Sequence, residues 1–148
     1  LSRTHFVNTL ERLLELGALP IINENDTVAT AEIAVGDNDT LAAIVAVNSG
    51  ADLLVLLTDI DGLYSADPKK DKAARLIPQV DEIDDKIRSL AGGAGSSLGT
   101  GGMATKIHAA EICTASGIDM IIARGDNPDV LYDICEGKDA GTRFIGKR

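Results

Sequence analysis

Four polar clusters stand between apolar stretches of the sequence, and each carries side chains that could do chemistry. They are Asn23-Glu24-Asn25-Asp26, Gly36-Asp37-Asn38-Asp39, Thr58-Asp59-Ile60-Asp61-Gly62 and the stretch Leu98-Gly99-Thr100-Gly101-Gly102-Met103-Ala104-Thr105-Lys106. The last is the sharpest. Ala91 to Gly102 holds six glycines in twelve positions, and a helical pattern begins directly after it. Glycines let backbone amides come close to a ligand, and a helix start presents free N–H groups and the positive end of a dipole, which together suit an anion. Lys106 falls in the first turn of that helix, where a cation is unfavourable for the helix alone; a bound phosphate would offset the cost. The spacing matches neither the P-loop nor the dinucleotide fingerprint. A flexible linker with a surface lysine is the plain alternative.

The Asp and Asn clusters hold more acceptors than turns or caps need, since one side chain caps a helix. Such groups suit an amino group, a cationic ligand or a magnesium–phosphate complex. Solvated turns of Asn, Asp and Gly are the competing explanation for each cluster. No metal-binding residues are assigned, because Cys113, Cys135, His5 and His108 are scattered without ligand spacing. Both cysteines lie in apolar helical patterns and are expected in the core. Lys69, Lys70 and Lys72 are expected to form a solvated face.

These clusters need elements to position them. Thr4 to Leu16 is predicted helical, with Phe6, Leu10, Leu13 and Leu14 on one face and Gly17 as its stop. Leu19 to Ile22 is expected to be a buried strand, with a short excursion over Ala31 to Val35. Thr40 to Ser49 is expected as a helix capped by the Asp/Asn cluster and closed by Gly50. Leu53 to Leu57 has no alternation, which predicts a strand covered on both faces, as parallel strands are. A polar loop follows to Pro68, then a short helix ending near Leu90. Met103 to Ser116 is expected as a helix with Ile107, Ala110, Ile112 and Cys113 inward. Met120 to Ala123 is a further strand. Asn127-Pro128 predicts a cap with proline at the first helical position of a helix reaching Glu136, and Gly141 to Ile145 a last strand. Helices alternating with short apolar strands make an α/β domain with a parallel sheet. The loops after Ile22, Leu57 and Ala123 would then share the carboxyl edge, where ligands bind in such sheets.

Composition narrows the functions. The 148 residues suit one domain. A net charge of −9 argues against nucleic acid, which needs a basic footprint, and four aromatic residues are too few for a base-stacking surface. No apolar run approaches the ~18 residues of a membrane span, no signal peptide is visible, and the cysteine usage fits a reducing cytoplasm.

With the clusters in place, the sequence resembles the amino acid kinase family from about Leu10 to Phe144. The stretch Thr58-Asp59-Ile60-Asp61-Gly62-Leu63-Tyr64-Ser65-Ala66-Asp67-Pro68 is of a kind shared with aspartokinases and uridylate kinases. Asn23-Glu24-Asn25-Asp26 and Gly99 to Lys106 point to the glutamate 5-kinase branch. The resemblance implies a parallel-sheet three-layer αβα sandwich of the carbamate kinase-like fold. It implies transfer of the ATP γ-phosphoryl group, with Mg2+, to the side-chain carboxylate of L-glutamate, the first step toward proline. It places Asp26 and Asn38 on glutamate, and Thr58 and Asp59 on the nucleotide. Thr100, Gly101, Gly102, Met103, Ala104, Thr105 and Lys106 would surround the phosphates. Lys106 and Asp39 would be the catalytic pair, Asp39 as the carboxylate that organises lysines. Partners would be L-glutamate, ATP, proline as feedback inhibitor and further copies of the chain, without nucleic acid or membrane, in the cytoplasm. The chain opens on Leu1, and family members begin with a glycine-rich strand–loop carrying another phosphate-binding lysine, then a serine that helps hold glutamate. Residues 1–148 are therefore expected to be the C-terminal, nucleotide-binding part of the kinase domain, inactive alone and without the RNA-modification-type domain some members append. Competing readings are a sibling kinase for acetylglutamate, carbamate or uridylate, a non-catalytic nucleotide-binding module, and a glycine loop that docks a partner.

Overall fold

The computed structural model describes residues 3–23, 38–92 and 102–148. The expected loop at Asp26, the excursion over 31–35, and Thr100 and Gly101 lie outside the described residues.

Helix α1 (Arg3–Glu15) packs against α2 (Asn38–Ser49), and Leu10 is the buried residue of α1. Each helix stops at a glycine with positive φ, Gly17 at 72° and Gly50 at 64°, a backbone conformation open to glycine without strain. Strand β1 (Leu53–Thr58) follows α2. The chain then runs through a long loop to β2 (Gln79–Val80), α3 (Asp85–Leu90), α4 (Met103–Ala115), β3 (Asp119–Arg124), α5 (Val130–Cys135) and β4 (Thr142–Phe144).

The sheet order is β1-β3-β4-β2. β1 and β3 are parallel in a register running from Leu53↔Asp119 to Thr58↔Arg124. Their alternate residues separate two cores, because successive strand side chains point to opposite faces. Leu54, Leu56, Met120 and Ile122 face a core built from α2 and α4, with Ala43, Ala46, Ala109 and Ala110 buried between them. Leu53, Val55, Ile121 and Ala123 face a smaller core with Ile134 and Val130 of α5. This is the expected three-layer αβα arrangement, and it explains the unbroken apolar run of β1.

Several expectations are corrected. Leu19 to Ile22 forms no strand; Leu19 is 86% and Ile21 93% exposed. No described strand pairs with it, so its backbone groups have no ladder to join. β1 is not buried throughout: it is the first strand of the sheet order, Leu56 alone in it is buried, and Leu57 is 44% exposed. The sheet is not wholly parallel, since β4 runs antiparallel to β3 while pairing parallel with the two-residue β2, which the sequence pattern did not show. Gly141, at φ 59°, makes this return: its missing side chain lets the backbone pass against the Ile122 carbonyl. Three- and two-residue strands carry too little pattern to reveal their direction. α5 begins only at Val130, because the turn over Asn127 to Tyr132 closes through i to i−3 hydrogen bonds; the Asn127 side chain still accepts from the Asp129 N–H (3.0 Å), the bond expected of the cap. Cys113 is buried, with its thiol pushed up to about 11 by burial, but Cys135 is exposed.

Candidate active site

Connectivity decides where the polar clusters meet. α2 packs on β1 and α4 on β3. Each helix returns into its strand through three residues, 50–52 and 116–118. Both helices therefore run against their strands, and both helix N-termini lie at the carboxyl edge of β1 and β3.

At that edge two residues from different helices form an ion pair. Asp39, in the first turn of α2, accepts at Oδ2 from Lys106 Nζ of α4 at 3.0 Å. The side chains are only 21% and 13% exposed. Thr105 Oγ1 lies 2.7 Å from the same Oδ2 and 3.0 Å from the Gly102 carbonyl oxygen. Lys106 thus has an internal partner for the charge it carries into the first turn of α4. The local sequence explains the approach. Ala43 and Ala46 of α2 and Ala109 and Ala110 of α4 are all buried in the same core, and side chains this small let the packed helices come close enough for a short aspartate to reach the lysine. The α4 N-terminus has Gly102 in the cap position, no side-chain cap and no acidic residue in its first turn. Two helix N-termini and the Lys106 ammonium thus meet beside the Asp39 carboxylate.

Thr58 and Asp59 stand at the end of β1, where the Thr58 hydroxyl donates to Asp59 Oδ1 at 3.2 Å. The Thr58 carbonyl accepts from Gly125 N–H at 2.8 Å, tying the loops after β1 and β3 together. Arg124, which opens the polar loop expected after Ala123 but is given no role there, bridges the same loops: Nε donates to Asp126 at 2.6 Å and Nη1 reaches Asp61 at 3.5 Å. The strand register sets Thr58 beside Arg124. Tyr64 donates to Asp61 at 2.7 Å, and that hydrogen bond, more than its slight burial and the adjacent negative charge, raises the phenol above its ordinary range. Below them Gly62 (φ 153°) passes so close to Thr142 that an added Cβ would lie 2.6 Å from its hydroxyl. That hydroxyl accepts from Leu63 N–H at 2.9 Å and donates to the Ile77 carbonyl at 2.6 Å, clasping the loop to β4.

Asn38 is exposed at the start of α2 and lines a cleft of about 500 Å3 with Asn23, Ile22, Pro20 and Leu41. Met103 is half-buried beside the α2/α4 core, and Gly102 and Ala104 are exposed. Among the described residues no group of three His, Cys, Asp or Glu side chains could hold a metal ion. Lys69, Lys70 and Lys72 are solvated, as expected.

The fold is an α/β sandwich in which two helix N-termini meet at one edge of the sheet. Residues 2–124 match the amino acid kinase family, and the chain belongs to that family. It is 56% identical over 148 residues to glutamate 5-kinase of Photorhabdus laumondii, covering 98% of this chain and 40% of that protein. The chain therefore spans 40% of the length of this curated relative. Among solved structures it is similar to an isopentenyl phosphate kinase (TM-score 0.69, 20% identity, 94% of this chain and 51% of that one). It is also similar to UMP kinase from Ureaplasma parvum (TM-score 0.65, 18% identity, 94% and 52%). These likenesses show the amino acid kinase fold.

Proposed function

We propose that the chain is the nucleotide-binding part of a glutamate 5-kinase, acting in the cytoplasm at the first step toward proline. An oxygen of the L-glutamate side-chain carboxylate attacks the γ-phosphorus of ATP. The bond from that phosphorus to the β–γ bridging oxygen breaks, and L-glutamyl 5-phosphate and ADP form. The observation that carries this reading is the Lys106–Asp39 pair at the meeting of two helix N-termini, joining residues 67 positions apart. The identity to glutamate 5-kinases directs it to this acceptor.

The chemistry suits the residues. A glutamate side chain has an ordinary pKa near ~4.3, so the nucleophile is ionised at neutral pH and needs no general base. The obstacle is repulsion between two anions, which positioning and charge neutralisation must overcome. Lys106 and the uncapped first turn of α4 supply positive charge to the phosphates. Asp39 holds the ammonium and takes no proton. Gly102 to Ala104 and the Thr105 backbone, with Thr100 and Gly101, line the phosphates; Thr58 and Asp59 receive the rest of the nucleotide; Asp26 and Asn38 hold the glutamate. Magnesium held mainly by phosphate oxygens and water needs no protein cage and supplies further charge neutralisation when bound. We also propose that residues 1–148 need substrate-binding groups from outside this chain, and do not turn over alone.

The test is trapping of glutamyl phosphate with hydroxylamine in the intact protein. ATP- and glutamate-dependent hydroxamate is expected, and Lys106→Ala should lower its rate by about 100- to 1,000-fold, far more than it weakens nucleotide binding. An intact protein that makes no hydroxamate, or a variant that turns over normally, overturns the reading.

A further inference from the structure

Thr105 is expected by resemblance to contact the nucleotide, but its side chain is engaged elsewhere. Its Oγ1 lies 2.7 Å from Asp39 Oδ2 and 3.0 Å from the Gly102 carbonyl. A hydroxyl has one proton to donate. The carboxylate is the nearer acceptor and the charged one, and charge-assisted hydrogen bonds are shorter and stronger, so the proton goes to Asp39. A hydroxyl committed in this way cannot also donate to a phosphate oxygen.

We infer that Thr105 is a positioning residue: its hydroxyl fixes the Asp39 carboxylate, and through it the Lys106 ammonium, in the orientation that meets the transferring phosphoryl group. Oδ2 of Asp39 receives two donors from consecutive residues of α4, the Thr105 hydroxyl and the Lys106 ammonium. One donor would leave the carboxylate free to swing about its terminal torsion, which is broad for aspartate. Two donors hold it. Threonine is suited to the task, because its branch at Cβ restricts χ1. Lysine has three ammonium donors and a flexible stem, so it needs an external anchor to present the other two in a fixed direction. A displacement of about 1 Å at such a group can cost ~100-fold in rate.

This inference rests on the kinase reading above, and its test separates the two. In the intact protein, Thr105→Val should lower kcat by about 10- to 100-fold while KM for ATP changes by less than about threefold. Thr105→Ser keeps the hydroxyl and should recover most of the rate. Combined with Asp39→Asn, Thr105→Val should cost nothing further, because both act through one carboxylate. The Lys106 Nζ resonance of 15N-lysine-labelled protein should shift in Thr105→Val without any ligand. A rise in KM with kcat intact would make Thr105 a nucleotide contact, and full additivity with Asp39→Asn would make it independent of the pair; either result overturns the inference. An unmoved Lys106 resonance does the same. If the intact protein makes no glutamyl phosphate, the kinase reading falls, and the resonance still judges whether Thr105 holds the pair.

Discussion

Replacing Asp39 by Asn should destabilise the protein more than replacing Lys106 by Met, although each substitution removes one half of the same ion pair. Removing one partner of a buried pair costs ~3–5 kcal/mol, because the other charge is stranded. Here the side chains keep 21% and 13% exposure, which lowers the expected cost to about 2–3 kcal/mol. The helix dipoles then split the two cases. Asp39 sits in the first turn of α2, where negative charge is favoured by ~0.3–1 kcal/mol. Lys106 sits at the same end of α4, where positive charge is disfavoured by a similar amount. A stranded Asp39 keeps a helix end and the Thr105 hydroxyl; a stranded Lys106 faces a helix end of its own sign. Asp39→Asn should therefore cost ~3 kcal/mol, and Lys106→Met roughly 1–2 kcal/mol. The double variant should cost less than the sum. Urea denaturation at pH 7 and low salt measures all three, read as shifts of midpoint at constant slope. Equal costs, or a larger cost for Lys106→Met, would refute the assignment of opposed dipole effects to these residues.

Two further outcomes follow from β3 and its antiparallel neighbour β4. Asp119 is 7% exposed at the start of β3 and accepts from Arg143 Nε (3.0 Å), Arg143 Nη2 (2.8 Å) and the Gly146 N–H (2.7 Å). Burial, the strongest single influence, pushes its carboxyl up, but the Gly146 N–H and the Arg143 guanidinium together outweigh it and hold the group below the usual range. A depressed carboxyl stabilises the fold fully above the unfolded value of ~3.9, and the benefit is lost as pH falls through the lower folded value. Asp119→Asn should thus lower stability by ~1–2 kcal/mol at pH 7 and lose its difference from the parent in acid; melting temperatures at several pH values check this, and a gap that persists in acid refutes it. Gly141→Ala combines a left-handed backbone with a Cβ driven into the Ile122 carbonyl, and should cost more than about 3 kcal/mol; a melting temperature near that of the parent would show that β4 can shift to make room.

Most of the α/β frame was legible because its signals are local. Helices α1, α2 and α4 and strands β1 and β3 have long apolar patterns with glycine stops, and the structure places them where those patterns do. What escaped is non-local. The apolar residues Leu19 to Ile22 look like a strand, but strand formation needs a neighbour, and no described strand supplies one. The direction of β4 depends on a single glycine passing a carbonyl, which no periodicity records. Cys135 has an apolar helical context, yet α5 is six residues long and covers only its own inner face.

The site follows the same division. Asp39 and Lys106 each mark a helix start in the sequence, and each has an adequate local explanation: a carboxylate suits a helix N-terminus, and a lysine can sit on a surface. Neither explanation requires the other residue. Their pairing is decided by α2 and α4 packing through alanines, which sets the distance between the two helix ends, and by the short returns into β1 and β3, which put those ends on one edge. A lysine placed at the positive end of a helix and drawn into partial burial is unfavourable twice over. Asp39 offsets its charge, and the positive end of α4 remains beside it. Under the kinase reading, that placement costs some stability and is repaid when a nucleotide's phosphates bind beside the α4 N-terminus, the behaviour expected of residues kept for binding and catalysis rather than for folding.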